Sequence, residues 1–179
     1  MPQKYNGLMQ GFQLWVNLPA KKKMVDPKYR GIVKEQIPVA QKDGVTIKVI
    51  AGKVNGVQGP VRDLAIDIEY FDVALSAGKI FEHKTAKNDT VFAYIIEGSV
   101  EVQGQPITHG HCIIFDEGET VKIDSISGGR FLFVTGEPLN EPVAWRGPIV
   151  MNTEEELEQA FEELDEGTFI KTKNSSNLK

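Results

Sequence analysis

Apolar side chains fall on every second position through much of this chain, and that period organises the reading. In residues 11–18, Phe12, Leu14, Val16 and Leu18 share one side and Pro19 closes the run. A period of two predicts a strand over 11–18. A lysine run, Lys21 to Lys23, follows and reads as a solvated turn; Pro27, Lys28, Tyr29 and Arg30 then read as a helical turn. No second strand follows directly, so the first has no local hairpin partner. From Ile37 onward short strands succeed one another. The pattern predicts them at 45–50, 63–75, 91–96, 100–103, 112–115, 120–123 and 130–135, with glycines between them. Many short strands with frequent glycine turns make a mainly β chain, a sandwich or a barrel. The stretch "GKVNGVQG" (52–59) lacks the Lys-Ser/Thr ending of a phosphate cradle and reads as a surface loop.

The period changes to that of a helix once, near the end. Thr153 and Glu156 are spaced as a capping box, and Glu154 and Glu155 suit the positive end of the helix dipole. Leu157, Ala160, Phe161 and Leu164 make one apolar face, expected to pack on the outside of the barrel, and Gly167 is placed to end the helix. Residues 171–179 are polar and read as a disordered tail.

Composition narrows the setting. With 179 residues, 41% of them hydrophobic, the chain is long enough for one well-packed domain. A net charge of -5 argues against direct nucleic-acid binding and against anionic membranes. Cys112 is the single cysteine, so no internal disulfide forms; its apolar neighbours Ile113, Ile114 and Phe115 predict a buried core thiol. No signal peptide and no long apolar span are visible, which makes a soluble cytoplasmic protein the expectation.

The stretch "GKIFEHKTAKNDTVFAYIIEG" (78–98) raises the question of a metal. It resembles the first motif of the cupins, small double-stranded β-barrels of the jelly-roll kind. That motif runs glycine, five residues, His-x-His, three or four residues, glutamate, six residues, glycine. Counted from Gly78, its ligand positions hold Lys84, Ala86 and Val91, and its last glycine is Gly98. The second cupin motif starts at Gly110, with Asp116 at the proline, Gly118 at the glycine, Val121 at the histidine and Ser125 at the last position. The frame is present and all four ligands are missing. His83 lies one residue off a ligand position, so strand alternation turns it away from the interior. His109 and His111 flank Gly110 at a turn, and a histidine pair by itself is a weak metal site. Val91 and Val121 predict a dry barrel centre filled by side chains.

Longer stretches narrow the resemblance. "GFQLWVNLPAKKKM" with "DPKY", "VFAYIIEGSV", "FDEGETV" and "GEPLNEPVAWRGPIVMNTEEE" resemble the pirin family over essentially the whole chain. Pirins are bicupins whose metal, usually iron, lies in the N-terminal barrel. The resemblance implies the C-terminal half of such a protein: residues 1–36 a remnant of the first barrel (strand 11–18) with a linker, residues 37–170 the C-terminal cupin barrel with helix 153–165, and 171–179 a tail. It implies that the iron-binding segment is absent, so no catalytic, cofactor or metal residue carries over to this chain. Three functions follow as expectations. One is a non-catalytic, co-regulator-like module working through protein contacts. The second is a metal-dependent quercetin 2,3-dioxygenase, as some pirins are, or a remnant of one. The third is a binder of small apolar ligands in the barrel interior. An alternating strand without neighbours recruits another chain, which predicts a homodimer or higher oligomer through the N-terminal segment.

Overall fold

The computed structural model describes residues 10–171. Thirteen strands form in these residues: β1 (Val39–Lys42), β2 (Val45–Ala51), β3 (Lys53–Val54), β4 (Val57–Gln58), β5 (Ile68–Leu75), β6 (Lys79–Lys84), β7 (Thr90–Val102), β8 (Gln105–Thr108), β9 (Cys112–Phe115), β10 (Thr120–Ser125), β11 (Gly129–Gly136), β12 (Ala144–Arg146) and β13 (Ile149–Met151). Nine of them make one curled sheet, ordered β1-β2-β5-β11-β7-β10-β6, with β8 and β9 also on β7. The pairs within it are antiparallel. This is the cupin-type barrel that the strand pattern and the motif frame predict.

The long strand β7 lets the sheet curl. Its first part, up to Gly98, pairs with β11; Ser99 to Val102 pair with β8, and Glu101 meets β10. The change of partner falls at Gly98, which has φ 69. A Cβ there would lie 2.5 Å from the carbonyl oxygen of Gly128, so a side chain has neither the conformation nor the space. The closing glycine of the motif frame is therefore a corner of the barrel.

Between the two walls lie Phe71, Phe81, Phe131, Phe133, Ile95 and Ile123, each at most 2% exposed. Phe81 meets Phe131 and Phe133 edge-on, with centroids 5.5 and 5.2 Å apart. The barrel centre is filled by side chains, as Val91 and Val121 predict; both are buried. Burying side chains of this size contributes about 1.5–3 kcal/mol each against the entropy of ordering them.

The C-terminal helix α1 (Glu154–Asp165) starts on the expected capping box: Thr153 Oγ1 accepts from the Glu156 amide, and Glu156 reaches back to the Thr153 amide. It ends at Gly167, φ 72, whose amide bonds to Leu164 O while Thr168 bonds to Glu163 O. That pair of bonds is a Schellman ending. Its apolar face packs on the β12–β13 hairpin rather than on the barrel wall. Leu157 and Ala160 meet Ala144 and Ile149 in a second small core, and Arg146 stacks over Phe161 at 4.3 Å. Leu164, expected on that face, is 44% exposed.

Four further expectations are corrected. Residues 11–18 form no strand, because no neighbouring strand among the described residues supplies ladder hydrogen bonds. The helical turn expected at Pro27 to Arg30 is absent; single turns of 3-10 helix form instead at Ala20–Lys22 and Lys34–Gln36. The 52–59 loop is a small hairpin, β3 with β4, turning at Asn55 and Gly56, both with positive φ. The predicted strand over 63–75 starts only at Ile68. The expected tail 171–179 lies, from residue 172 on, outside the described residues, as do residues 1–9 of the N-terminal unit.

Candidate functional site

A histidine–carboxylate pair, His83 with Glu69, faces the barrel interior. His83 Nε2 donates to Glu69 Oε2 at 2.6 Å, and the His83 side chain is 11% exposed. Its ring stacks on Phe81 and meets Phe71 and Phe133 edge-on. This overturns the outward orientation expected for His83. The strand face is set by Phe81, which is buried, and Phe81, His83 and Thr85 alternate onto the same inner side. Register agrees: His83 stands opposite Val121 and Phe81 opposite Ile123 on β10, and both partners are buried. The motif frame counted from Gly78 is thus one residue out of phase with the face, and its first ligand position, Lys84, points to solvent.

The remaining frame positions supply no donors to the interior. Ala86 is exposed in the turn after β6, and Val91 and Val121 are buried hydrocarbon. Ser125 is buried but occupied: its Oγ donates to Ser99 O at 2.8 Å and accepts from the Gly128 amide at 3.0 Å. His109 and His111 are exposed in the β8–β9 turn, where His111 Nδ1 lies 3.1 Å from Thr108 O. Among the described residues no three His, Cys, Asp or Glu side chains converge. Glu69 and His83 are two donors in an aromatic surround, and a first-row metal needs three or more protein ligands. These residues do not fit an iron centre.

Cys112 is exposed, against the expected burial. On β9, Ile113 and Phe115 face inward and Cys112 and Ile114 face out, so an apolar sequence neighbourhood hid an outward position. The outer wall also holds a charge cluster that sequence reading missed. Arg130 donates from Nε and Nη2 to both oxygens of Asp72, each at 2.8 Å, and Lys48 Nζ adds a bond at 3.3 Å. Burial raises the Asp72 carboxyl pKa, but the hydrogen bonds and charges of Arg130 and Lys48 outweigh it and hold the group below its ordinary value. The bidentate clamp ties β2, β5 and β11 together.

The two larger surface hollows around the N-terminal segment are apolar in most of their lining. One, of about 640 Å³, is lined by Trp15, Val16, Val143, Trp145 and Leu164 among others. Both tryptophans of the chain stand here, 57% and 67% exposed. The other, of about 830 Å³, lies between residues of the 18–32 segment, the 61–65 turn and residues 169–171. The lysine run forms the expected turn with Lys21 exposed, but Lys22 and Lys23 are half-buried and bonded. Lys22 Nζ reaches Ala65 O at 2.8 Å, and Lys23 Nζ reaches Asn17 Oδ1 and Val150 O at 2.9 and 3.0 Å. No helix among the described residues is long and apolar enough to cross a membrane.

Residues 70–170 match the family model of the pirin C-terminal cupin domain. A pirin-like protein of Caulobacter vibrioides is 42% identical over 171 residues, which are 94% of this chain and 62% of that protein. Human pirin is 39% identical over 157 residues, 84% of this chain and 54% of that protein. Among solved structures, a quercetin 2,3-dioxygenase from Acinetobacter baumannii superposes with a TM-score of 0.79 at 31% identity, over 87% of this chain and 55% of that one. The chain therefore spans between about half and two thirds of the length of these relatives. With the family model covering more than half of its residues and the barrel in place, the chain belongs to the pirin family, whose C-terminal cupin domain it carries.

Proposed function

We propose that this chain is a non-catalytic cupin module that works through protein contacts, as a co-regulator-like component, with no metal centre of its own. The observation that carries the reading is the apolar surface around the N-terminal segment. Phe12, Trp15, Val16, Val143 and Trp145 are all more than 40% exposed, and Trp15, Val16, Val143 and Trp145 line one groove. Exposed tryptophans in an apolar hollow are the usual anchors of protein interfaces. Residues 11–18 add strand-forming sequence without a ladder partner, which favours pairing with another chain. The reading includes a homodimer or higher oligomer formed through this segment. A cytoplasmic setting accords with Cys112, a free exposed thiol of the kind that reducing compartments preserve.

Light scattering tests the reading. The expected result is a dimer or larger species that shifts toward monomer in Trp15→Ser. A monomer at all concentrations, unaffected by that change, defeats the oligomer. A second reading, quercetin 2,3-dioxygenase, is favoured by the name of the Acinetobacter relative. Since residues 10–171 hold no fitting ligand set, it requires the iron to be held elsewhere than in this barrel. Elemental analysis and a quercetin oxidation assay separate the two: about one tightly held iron per chain together with quercetin turnover supports the second reading and sinks the first.

A further inference from the structure

The cavity beside the 61–65 turn carries charge of the opposite sign to the chain as a whole. Its lining includes Lys22, Lys23, Lys28, Arg30 and Lys171 against two acids, Asp26 and Asp63, in a chain of net charge -5. What these cations touch matters more than their number. Lys22 donates to Ala65 O, Lys23 to Asn17 Oδ1 and Val150 O, and Arg30 to Arg62 O. All four acceptors are neutral: they hold the cationic heads in place and leave the charge in force. Arg30 also lies 3.7 Å from Asp63, but that carboxylate is 83% exposed, and a long, solvated pair of this kind neutralises little. Lys171 differs, because Glu163 lies 2.6 Å away and compensates it. Lys23 differs too: burial pulls it below the ordinary lysine pKa, and the charges of Glu141 and Glu156 act against that pull.

The rest of the lining is hydrocarbon, with Met24, Ile32, Val61, Leu64 and Phe169 in one continuous hollow. A volume near 830 Å³ is that of a small-molecule site. Apolar walls joined to cationic heads that Lys22 and Arg30 hold on neutral carbonyls select a ligand with an apolar body and one anionic head. We propose that this cavity binds an apolar carboxylate, its body along Met24, Ile32, Leu64 and Phe169 and its carboxylate on Arg30 and Lys22. The guanidinium fork suits a carboxylate, and Arg30 keeps donors beyond the one on Arg62 O. The site does not depend on the protein-contact reading above, although the Trp15–Trp145 groove shares Leu18, Lys23, Met24 and Phe169 with it.

Titration of the full chain with dodecanoate, and with dodecanol as its uncharged counterpart, followed by amide NMR and calorimetry, tests the proposal. The expected result is saturable dodecanoate binding at one site, with shifts centred on residues 22–32, 61–65 and 169–171, tighter than dodecanol and weakened by salt. The double change Lys22→Met with Arg30→Met weakens dodecanoate by about tenfold or more, as loss of charge-assisted hydrogen bonds requires. Arg30→Lys, which keeps the charge but loses the guanidinium fork, binds more weakly than the parent and more tightly than the double variant, and so reports on a folded cavity if the double variant misfolds. The proposal is overturned if dodecanoate does not bind or binds no better than dodecanol. It is equally overturned if the folded double variant binds unchanged, or if the shifts centre on Trp15 and Trp145.

Discussion

Residues 11–18 and 91–95 carry the same alternation and meet opposite fates. In β7, Val91, Ala93 and Ile95 are 0–3% exposed, whereas Phe12, Leu14 and Val16 are 38–46% exposed. The difference is one of neighbours, since β7 has β11 along one edge and β9 along the other. The N-terminal segment has no strand beside it among the described residues and touches the barrel from outside, with Phe12 edge-on to Tyr94 at 5.6 Å. Alternation describes what a segment can pair as. Burial follows only where the chain, or another chain, supplies both the ladder and the opposing wall.

The two regions respond to substitution in very different measure. The largest loss is expected in the barrel: Phe133→Ala, at a ring that meets Phe71, Phe81 and His83, costs about 3–5 kcal/mol in urea unfolding. A value below about 1 kcal/mol would show a centre less well packed than it looks. Next comes the outer clamp. Asp72→Asn is expected to cost about 2 kcal/mol at neutral pH, less than a fully buried pair because Arg130 is partly solvated. The sign of its pH dependence follows from the depressed carboxyl. Its contribution is complete above the unfolded carboxylate value near 3.9 and is lost as pH falls through the lower folded value. Urea midpoints measured on the acid side should fall more steeply with pH in the parent than in Asp72→Asn; parallel curves would remove Asp72 from the account.

Thr153→Ala removes the capping box and is expected to lower stability by about 1 kcal/mol. The effect belongs to the small core of α1 and the β12–β13 hairpin, so faster amide exchange there, with the barrel unchanged, is the discriminating readout. The smallest effect on stability is expected in the N-terminal segment. Trp15→Ser should change barrel unfolding by no more than about 0.5 kcal/mol while weakening self-association. A large loss of monomer stability would mean that the segment belongs to the barrel core after all.

Sequence reading failed where a face had to be chosen. On β6 the motif frame counted from Gly78 put position 84 inside, while packing put Phe81 and His83 there. One residue of phase reverses every orientation in a strand. Cys112 was misplaced for the same reason: an apolar run names both faces, and only β7 on one side of β9 tells them apart. Glu69, fourteen residues before His83, became its partner through the curl of the sheet, and no local signal announces that. By contrast, the helix was legible to within one residue at its start, because a capping box is a local hydrogen-bond pattern.

From the sequence alone came the mainly β architecture, the helix with its start and stop, and the glycine frame of a cupin. These rest on local conformation and on residue identity, which the chain carries in linear form. Tertiary structure alone decided that His83 faces Glu69 among aromatic rings, that Asp72 clamps three strands, that Lys22, Lys23 and Arg30 gather around one apolar cavity, and that residues 11–18 stay unpaired. Each of these depends on which distant segments become neighbours, and a pattern of alternating positions holds no record of that.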